Sequence, residues 1–430
     1  MKFTAAGDAI IQRRIPEDFE GYAELSPYIN EGDARFFNFE TTLSKEGECR
    51  ASQQSGGTYL RANPEIAFDL KKFGFNITSF NNNHALDFFY DGLYSTFDAI
   101  EAAGFVQAGV GKNLAEASAP KYLETKNGRV ALIAVNTSFN VEMMAGEQNE
   151  RVVGRPGING IRLNKYLRVT KEELEFIKNL SARTLINAQR DIESREGYHP
   201  VRPDNEAALG ELMFKLGEKS EYVMEANAND VERLKRAIYE AKLQADYIIV
   251  SVHSHQIAGD KKENPAKFLT ELAHLAIDCG ANAVVGHGPH LLRPIEVYKD
   301  SPIFYSLGDF VLELYSVEYA PADFFNRHGM PINSTVHDLL ASRSKNFTVG
   351  LMTDERMFIS VIPIWETDGG VLKKMQLVPI FLSMTGNRSE IGLPRICSPE
   401  KVISYLGPMC EPYGVKLSVA KDGKLIDCEW

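Results

Sequence analysis

Cysteine is scarce in this chain: Cys49, Cys279, Cys397, Cys410 and Cys428 are odd in number and lack paired spacing. That pattern suits reduced thiols better than a disulfide framework or a thiolate zinc site. Basic charge is in deficit too, with 47 Lys and Arg against 58 Asp and Glu, for a net charge of -11. A general nucleic-acid or anionic-membrane binder needs a positive face to neutralise phosphate, so neither partner is expected. Apolar runs are short. None approaches the roughly 18–20 residues that span a bilayer, and the apolar part of the opening Met1-Lys-Phe-Thr-Ala-Ala-Gly-Asp8 is too short for a secretory signal. The expectation is a cytoplasmic protein without a membrane anchor. Internal repeats and low-complexity tracts are absent as well.

What remains is long and ordinarily globular. A chain of 430 residues exceeds the size of one hydrophobic core, which implies several domains or one large α/β domain with insertions. Residues 1–135 alternate short β-type runs with helical patterns, and the alternation resumes at Tyr247. Between them, about 140–245, the periodicity turns helical. Thr170-Lys-Glu-Glu173 is a capping box, Asp204 is a candidate cap for a second helix, and Asn229-Asp-Val-Glu232 opens a third. This reads as a helical insertion covering a site, or as a peripheral helical layer. Residues 320–345 read as loop or lid. From Phe347 strands return (Val349–Met352, Met357–Ile364, Met375–Ile380), followed by a helix near Pro399–Gly407. The expected organisation is therefore a main domain over 1–312 and a β-rich extension over 313–430 packed on the same core.

Chemistry-bearing residues gather at strand ends. Ala283-Val-Val-Gly-His287-Gly-Pro-His290 is a short apolar run stopping in glycine and two histidines, and open α/β sheets hold ligands beyond the carboxyl ends of such strands. Four other runs end alike, at Gly7-Asp8, at Asn38-Phe-Glu40, at Asn81-Asn-Asn83-His84 and at His253-Ser-His255. Five of the nine histidines stand at these ends. Carboxylates and neutral imidazoles converging from rigid strands are what a divalent metal requires, and zinc, manganese and iron all accept such mixed sets. His255, two beyond His253, points to the same side of a strand and offers a replacement ligand or a second proton-transfer group.

The order Gly-Asp, Asn-Phe-Glu, Asn-Asn-His-Ala-Leu-Asp, Val-His, Gly-His-Gly-Pro-His, Tyr-Ser-Leu-Gly-Asp-Phe resembles the CapA family of capsule or poly-γ-glutamate synthesis proteins. That family is similar in fold to the calcineurin-like metallophosphoesterases. The match covers about 1–140 and 245–312, with a further family-like segment at Gly154-Arg-Pro-Gly-Ile-Asn-Gly-Ile-Arg162. The resemblance implies a metallophosphoesterase-like layered α/β sandwich with the helical insertion and C-terminal β-rich extension described above. It also implies that Asp8 and His290 bind a first metal, that Glu40 bridges, and that Asn83, His253 and His287 bind a second. His84 would be the acid or base at the scissile bond.

Three departures from the metallophosphoesterase pattern stand out. The usual Asp-x-His is Asp8-Ala9-Ile10 here, so one ligand of the first metal is missing. Ala85 follows the Asn-His pair where an acid is usual, leaving Asp87 to orient His84. Two residues, not one, separate His287 from His290. One metal or two are both open. Arg155 and Arg162 are candidates to clamp a substrate carboxylate or phosphate through their bidentate forks, with Asn38 as a further substrate contact; Arg155 paired with a surface acid is the plainer alternative. Asp309 is either a carboxylate of the site or a turn residue after Gly308. The Ser55-Gly-Gly-Thr58 loop lacks the context of a phosphate cradle.

The implied function is metal-dependent hydrolysis of a phosphoester or amide in a small-molecule or peptide-like substrate, near poly-γ-glutamate or a related polymer. Metal-dependent peptide epimerisation, using His84 and His255 on two faces, is an alternative. A non-catalytic accessory role in polymer synthesis is a third.

Overall fold

The computed structural model describes residues 1–318 and 320–430. It divides into two units, Met1–Ile161 with Glu232–Trp430, and Arg162–Val231. The larger unit is organised on the strand Lys2–Ile10, eight of whose nine residues are buried, the near-continuous apolar run of a strand covered on both faces. Ala34–Phe39 lies parallel along one side, and Ile77–Ser79 and Val106–Ala108 continue outward in the same sense. On its other side the strand changes partner. Lys2–Thr4 pair antiparallel with Ile364–Glu366, whereas Asp8–Ile10 pair parallel with Asp309–Leu312. Val371–Leu382 and the short C-terminal strands complete a ten-stranded sheet. The partner change explains Gly7, where an added Cβ would lie 1.8 Å from the Gly308 carbonyl oxygen. Only glycine lets the two backbones meet so closely, and the next amide, Asp8 N–H, donates to that same oxygen at 3.1 Å.

A six-stranded sheet forms the second layer. Its inner strands Gly128–Asn136, Tyr247–His253, Ala283–His287 and Ser301–Phe304 are parallel, and antiparallel Lys121–Thr125 and Ile295–Tyr298 close its edges. The two layers share one core, to which Phe3, Phe36, Leu132, Ile249, Val285 and Trp365 contribute. There the indole N–H of Trp365 donates to the Tyr247 hydroxyl at 2.9 Å, so the one polar atom buried with that ring is paired. Helices Glu20–Ile29, Ile66–Lys72 and Phe89–Ala102 pack Leu25, Leu70, Leu93 and Ile100 with Phe37 and Phe39 of the first sheet in a separate cluster. The result is a layered α/β sandwich whose parallel strands end on one rim.

The smaller unit holds helices Lys171–Thr184 and Ala188–Arg195. The first opens on the expected capping box, with Thr170 N–H donating to Glu173 at 2.8 Å and Glu173 N–H returning to the Thr170 hydroxyl at 3.4 Å. Beside them stands a four-stranded sheet, in the order Glu206–Leu209, Leu212–Leu216, Leu163–Val169, Glu221–Ala226, which the periodicity does not announce. Few of its positions are buried, so the strands lack strong alternation, and the core is small: Val169, Leu174, Ile177, Ala207 and Phe214. Asp204 caps no helix and lies in the turn before Glu206–Leu209.

Residues 320–345, expected as loop or lid, contain helices Ala322–Arg327 and Val336–Arg343. Phe324, Phe325, Val336 and Leu339 pack there with Tyr59, Leu60 and Phe358. The strand expected over 349–352 is replaced by a 3-10 turn at Leu351–Thr353. Among the described residues no helix is long and apolar enough to cross a membrane.

Candidate metal centre

The rim gathers two groups of ligand-type side chains. The first is built across three neighbouring strands, because Asp8 is the register partner of both Asn38 and Asp309. Asn38 Nδ2 donates to Asp8 Oδ1 at 2.7 Å, and the Gly288 N–H donates to Asp8 Oδ2 at 2.8 Å. His290 Nδ1 lies 3.0 Å from Asp309 Oδ1 and 3.8 Å from Asp8 Oδ2. His290 holds φ of +60°, and Gly288 before it has φ of +116°. Left-handed backbone at a histidine is uncommon and costs on the order of 1 kcal/mol or more, and here it places the imidazole between the two carboxylates.

The second group comes from the other sheet. His253 and His287 are register partners on adjacent parallel strands, with their Nδ1 atoms 2.8 Å apart. The Nε2 of His253 lies 2.6 Å from Asn83 Oδ1, 3.1 Å from His255 Nε2 and 3.7 Å from Glu40 Oε1. His287 Nε2 is 2.6 Å from the Ser251 hydroxyl, so Nδ1 is the nitrogen His287 turns toward Asp8, at 3.5 Å. Ligand atoms close enough to hold one ion form the sets Asp8, His253, His287; Glu40, His253, His255; and Asp8, His290, Asp309. His253 belongs to two of these through different nitrogens, and a neutral imidazole has one free lone pair.

His84 stands at the edge of both groups. Its Nδ1 is 2.7 Å from Asp87 Oδ2 and its Nε2 is 4.0 Å from Glu40 Oε1. Asp87 also accepts from the Gly56 N–H at 3.0 Å and the Leu60 N–H at 2.8 Å. With Asp87 as acceptor on Nδ1, the Nε2 lone pair of His84 faces the centre.

Electrostatics favours a cation here. Glu40 is wholly buried, and neither of its oxygens has a hydrogen-bond partner; Asp309 Oδ2 is likewise unpartnered. An unpaired buried carboxylate costs several kcal/mol and is ordinarily neutralised, paired or bound to a metal. Burial, with the charge of Asp8 added, pushes the Glu40 carboxyl well above its usual range. Burial likewise lifts Asp309 to about 6, against the pull of His290. Burial drives His253 and His255 well below the usual imidazole range, reinforced by the neighbouring imidazoles, and takes His287 to about 4 although Asp8 opposes it. For His290, burial is outweighed by Asp309 and the value rises. Neutral imidazoles beside carboxylates without donors are a donor set suited to divalent zinc, manganese or iron.

Not every expected residue joins the centre. Asp8, Glu40, Asn83, His84, Asp87, His253, His255, His287 and His290 come together, as the distances above record. Arg162 is bound to a carboxylate of its own chain. It lies in the smaller unit, where its Nε and Nη2 donate to Asp230 at 2.8 and 2.9 Å, an ion pair that holds the start of one strand to the start of a helix. Asn38 is buried without exposure and spends its amide on Asp8, which makes it a support of a ligand rather than a substrate contact. Arg155 donates Nε and Nη2 to the Met144 carbonyl, both at 3.2 Å, and no ion pair of it with an acid is seen among the described residues.

Asp309 is the residue the sequence left undecided, and it stands beside its register partner Asp8 with Oδ1 3.0 Å from His290 Nδ1. Two others carried no sequence signal. Ser251 fixes the orientation of His287. Arg293, fully buried, binds the carbonyls of Ser254 (3.3 Å), His255 (3.5 Å), Gln256 (3.0 Å) and Lys262 (2.9 Å), and so pins the loop that carries His255. A Ser inside an apolar strand and an Arg before a proline are common enough to point nowhere until their partners are seen.

The chain is similar to several known proteins. The chain is 31% identical over 429 residues to the uncharacterized protein y4sH of Sinorhizobium fredii, covering 96% of this chain and 90% of that one. It is 23% identical to the capsule biosynthesis protein CapA of Bacillus anthracis over 73% of this chain and 60% of the relative. It is 26% identical to a probable polyglutamine synthesis accessory protein of Mycobacterium tuberculosis over 65% and 55% of the two chains. Residues 2–313, which include every member of the centre, match the model of one family. The chain belongs to that family, the bacterial capsule synthesis proteins described as PGA_cap.

Proposed function

We propose that the chain is a metal-dependent hydrolase acting on an amide or phosphoester bond of a peptide-like substrate, in the metabolism of poly-γ-glutamate or a related polymer. One observation carries the reading: Glu40, buried and without a hydrogen-bond partner, has Oε1 within 4.0 Å of a nitrogen of His84, His253 and His290. Asp8, His290 and Asp309 would hold one cation, and His253, His255 or His287 with Asn83 a second, Glu40 lying between them. A divalent ion in such a site supplies Lewis acidity to a carbonyl or phosphoryl oxygen and acidity to a water molecule.

The chain's own residues do the rest. Asp87 fixes the ring of His84 and leaves Nε2 to carry a proton to the leaving group or take one from the attacking water. Asn38 and the Gly288 amide hold Asp8 in one rotamer, and Arg293 holds the His255 loop, so the ligands are set before substrate arrives. The names of relatives support the polymer assignment, and the carboxylate-rich centre supports the hydrolytic one.

The test is metal content by elemental analysis, followed by turnover of glutamyl peptides and phosphoesters in deuterated water. Metal-dependent release of an amine or phosphate, without deuterium at an α-carbon, is expected. Deuterium gained without cleavage would replace this reading with epimerisation. A metal-free protein with no turnover would leave an accessory role in polymer synthesis.

A further inference from the structure

Beside the candidate metal centre lies a cleft of about 600 Å³, whose lining includes Gln54, Leu86, Phe89, Tyr90, Glu142 and Arg155. Two pieces of chain join its lining to the centre. The loop that supplies Ser52 and Gln54 goes on to Gly56, whose N–H donates to Asp87 at 3.0 Å and whose carbonyl accepts from Asn83 Nδ2 at 3.0 Å. The segment Asn83–Asp87 that carries His84 runs directly into Phe89, which holds φ of +48°. A half-buried phenylalanine in left-handed backbone is strained, and strain of this kind is kept where the surroundings require it.

Among the described residues the cleft is lined by one cation, Arg155. Two N–H groups of Arg155 are anchored on the Met144 carbonyl at 3.2 Å, which fixes the guanidinium plane. The rest of the fork has no carboxylate partner among the described residues. The same cleft is lined by the amides of Gln53, Gln54 and Asn140, the rings of Phe89 and Tyr90 and, among the described residues, a single acid, Glu142. One guanidinium edge matches one carboxylate. A phosphate would bring nearly twice the charge to a cleft that also contains Glu142 and, among the described residues, has no second cation. The side-chain amides suit the backbone of an amide-linked chain, and the rings suit its methylenes.

The geometry points to this cleft as a substrate subsite for a carboxylate-bearing, amide-linked chain, with Arg155 as the residue that selects the carboxylate. The inference rests on the hydrolase reading for the position of the reacting bond, which would lie at His84. The carboxylate recognised would belong to the part of the chain leaving over Phe89 and Tyr90.

Calorimetric binding of γ-glutamylglutamate tests it without turnover. Wild type binds, and Arg155→Met weakens binding about 10–100-fold, the loss of a charge-assisted bidentate contact. Arg155→Lys, which keeps the charge and loses the fork, falls between. The same ratio between wild type and Arg155→Met persists in a Glu40→Gln background, so that a failed metal reading leaves this result standing. Inorganic phosphate does not displace the dipeptide from wild type. In Glu142→Gln, which leaves the Met144 clip untouched, phosphate begins to compete. The assignment is overturned if wild type does not bind the dipeptide, if Arg155→Met binds as tightly as wild type, if phosphate displaces the dipeptide from wild type, or if Glu142→Gln changes nothing.

Discussion

Asp8 and Asp309 are register partners on adjacent parallel strands, both without solvent exposure, and the imidazole of His290 reaches them at 3.8 and 3.0 Å. The pairing sets a third ligand-type side chain beside Asp8 and His290 in a chain that has Ala9-Ile10, and no histidine, after its aspartate. It also makes the two acids equivalent in one respect that can be tested. Asp309→Ala and Asp8→Ala are each expected to remove one metal per chain from a protein that holds two, whereas His287→Ala removes the other. Elemental analysis of the three variants beside wild type reads this directly, and retention of full metal content in Asp309→Ala contradicts it.

Glu40 gives a prediction with two signs. In metal-free protein its carboxylate is buried without a donor, so Glu40→Gln should melt at or above the wild-type temperature, a gain of up to about 2 kcal/mol. Added zinc or manganese should raise the wild-type melting temperature and leave the variant unmoved. A variant less stable than wild type under chelation would mean that Glu40 is paired in some way the geometry does not show.

His84 and Asp87 should separate catalysis from folding. His84→Ala keeps metal content and stability and lowers turnover by roughly 10²–10⁴-fold. Asp87→Ala strands three donors, the Gly56 and Leu60 amides and the His84 ring, and should cost about 3 kcal/mol or more in unfolding free energy. Denaturant titration distinguishes the two, and similar losses of stability in both would argue against the division of roles.

The pH dependence of the metal-free protein follows from His287, held to about 4 by burial. A histidine kept neutral in the fold is protonated more readily in the unfolded chain, whose value is near 6.5. Its contribution is therefore intact above about 6.5 and is lost as pH falls toward 4, a loss of roughly 3 kcal/mol. His287→Asn lacks that contribution. Between pH 7 and pH 4.5 under chelation, wild type should lose roughly 2–3 kcal/mol more than the variant; parallel pH curves would show that His287 is not neutral in the fold.

Arg162 is predicted to matter only for the smaller unit. Its partner Asp230 is fully buried while the arginine side chain is 47% exposed, so solvent screening limits the pair. Arg162→Ala should cost about 1–2 kcal/mol, chiefly through the two charge-assisted side-chain hydrogen bonds to Asp230 that are lost, with metal content unchanged. Proteolysis confined to residues 162–231 with intact metal stoichiometry is the expected readout, and altered stoichiometry would return Arg162 to the centre.

The sequence by itself determined the parallel strands and the ligand-type side chains at their ends. Short buried runs ending in Asp8, Glu40, His253 and His287 are local patterns, and a parallel α/β sheet brings such ends to one rim whatever the connections do. The capping box at Thr170–Glu173 was legible for the same reason, since both partners lie within one turn. The tertiary structure alone decided what depends on partners distant in sequence. Asp309 became a member of the centre because Lys2–Ile10 changes partner beyond Gly7. Asn38 was committed to Asp8 and Arg162 to Asp230, because each donor found a buried carboxylate before any substrate could. The sheet of the smaller unit was hidden because its strands bury few residues and so carry little alternation. A residue's chemistry is written in its type, but whether its donors are free is fixed only by what packs beside it.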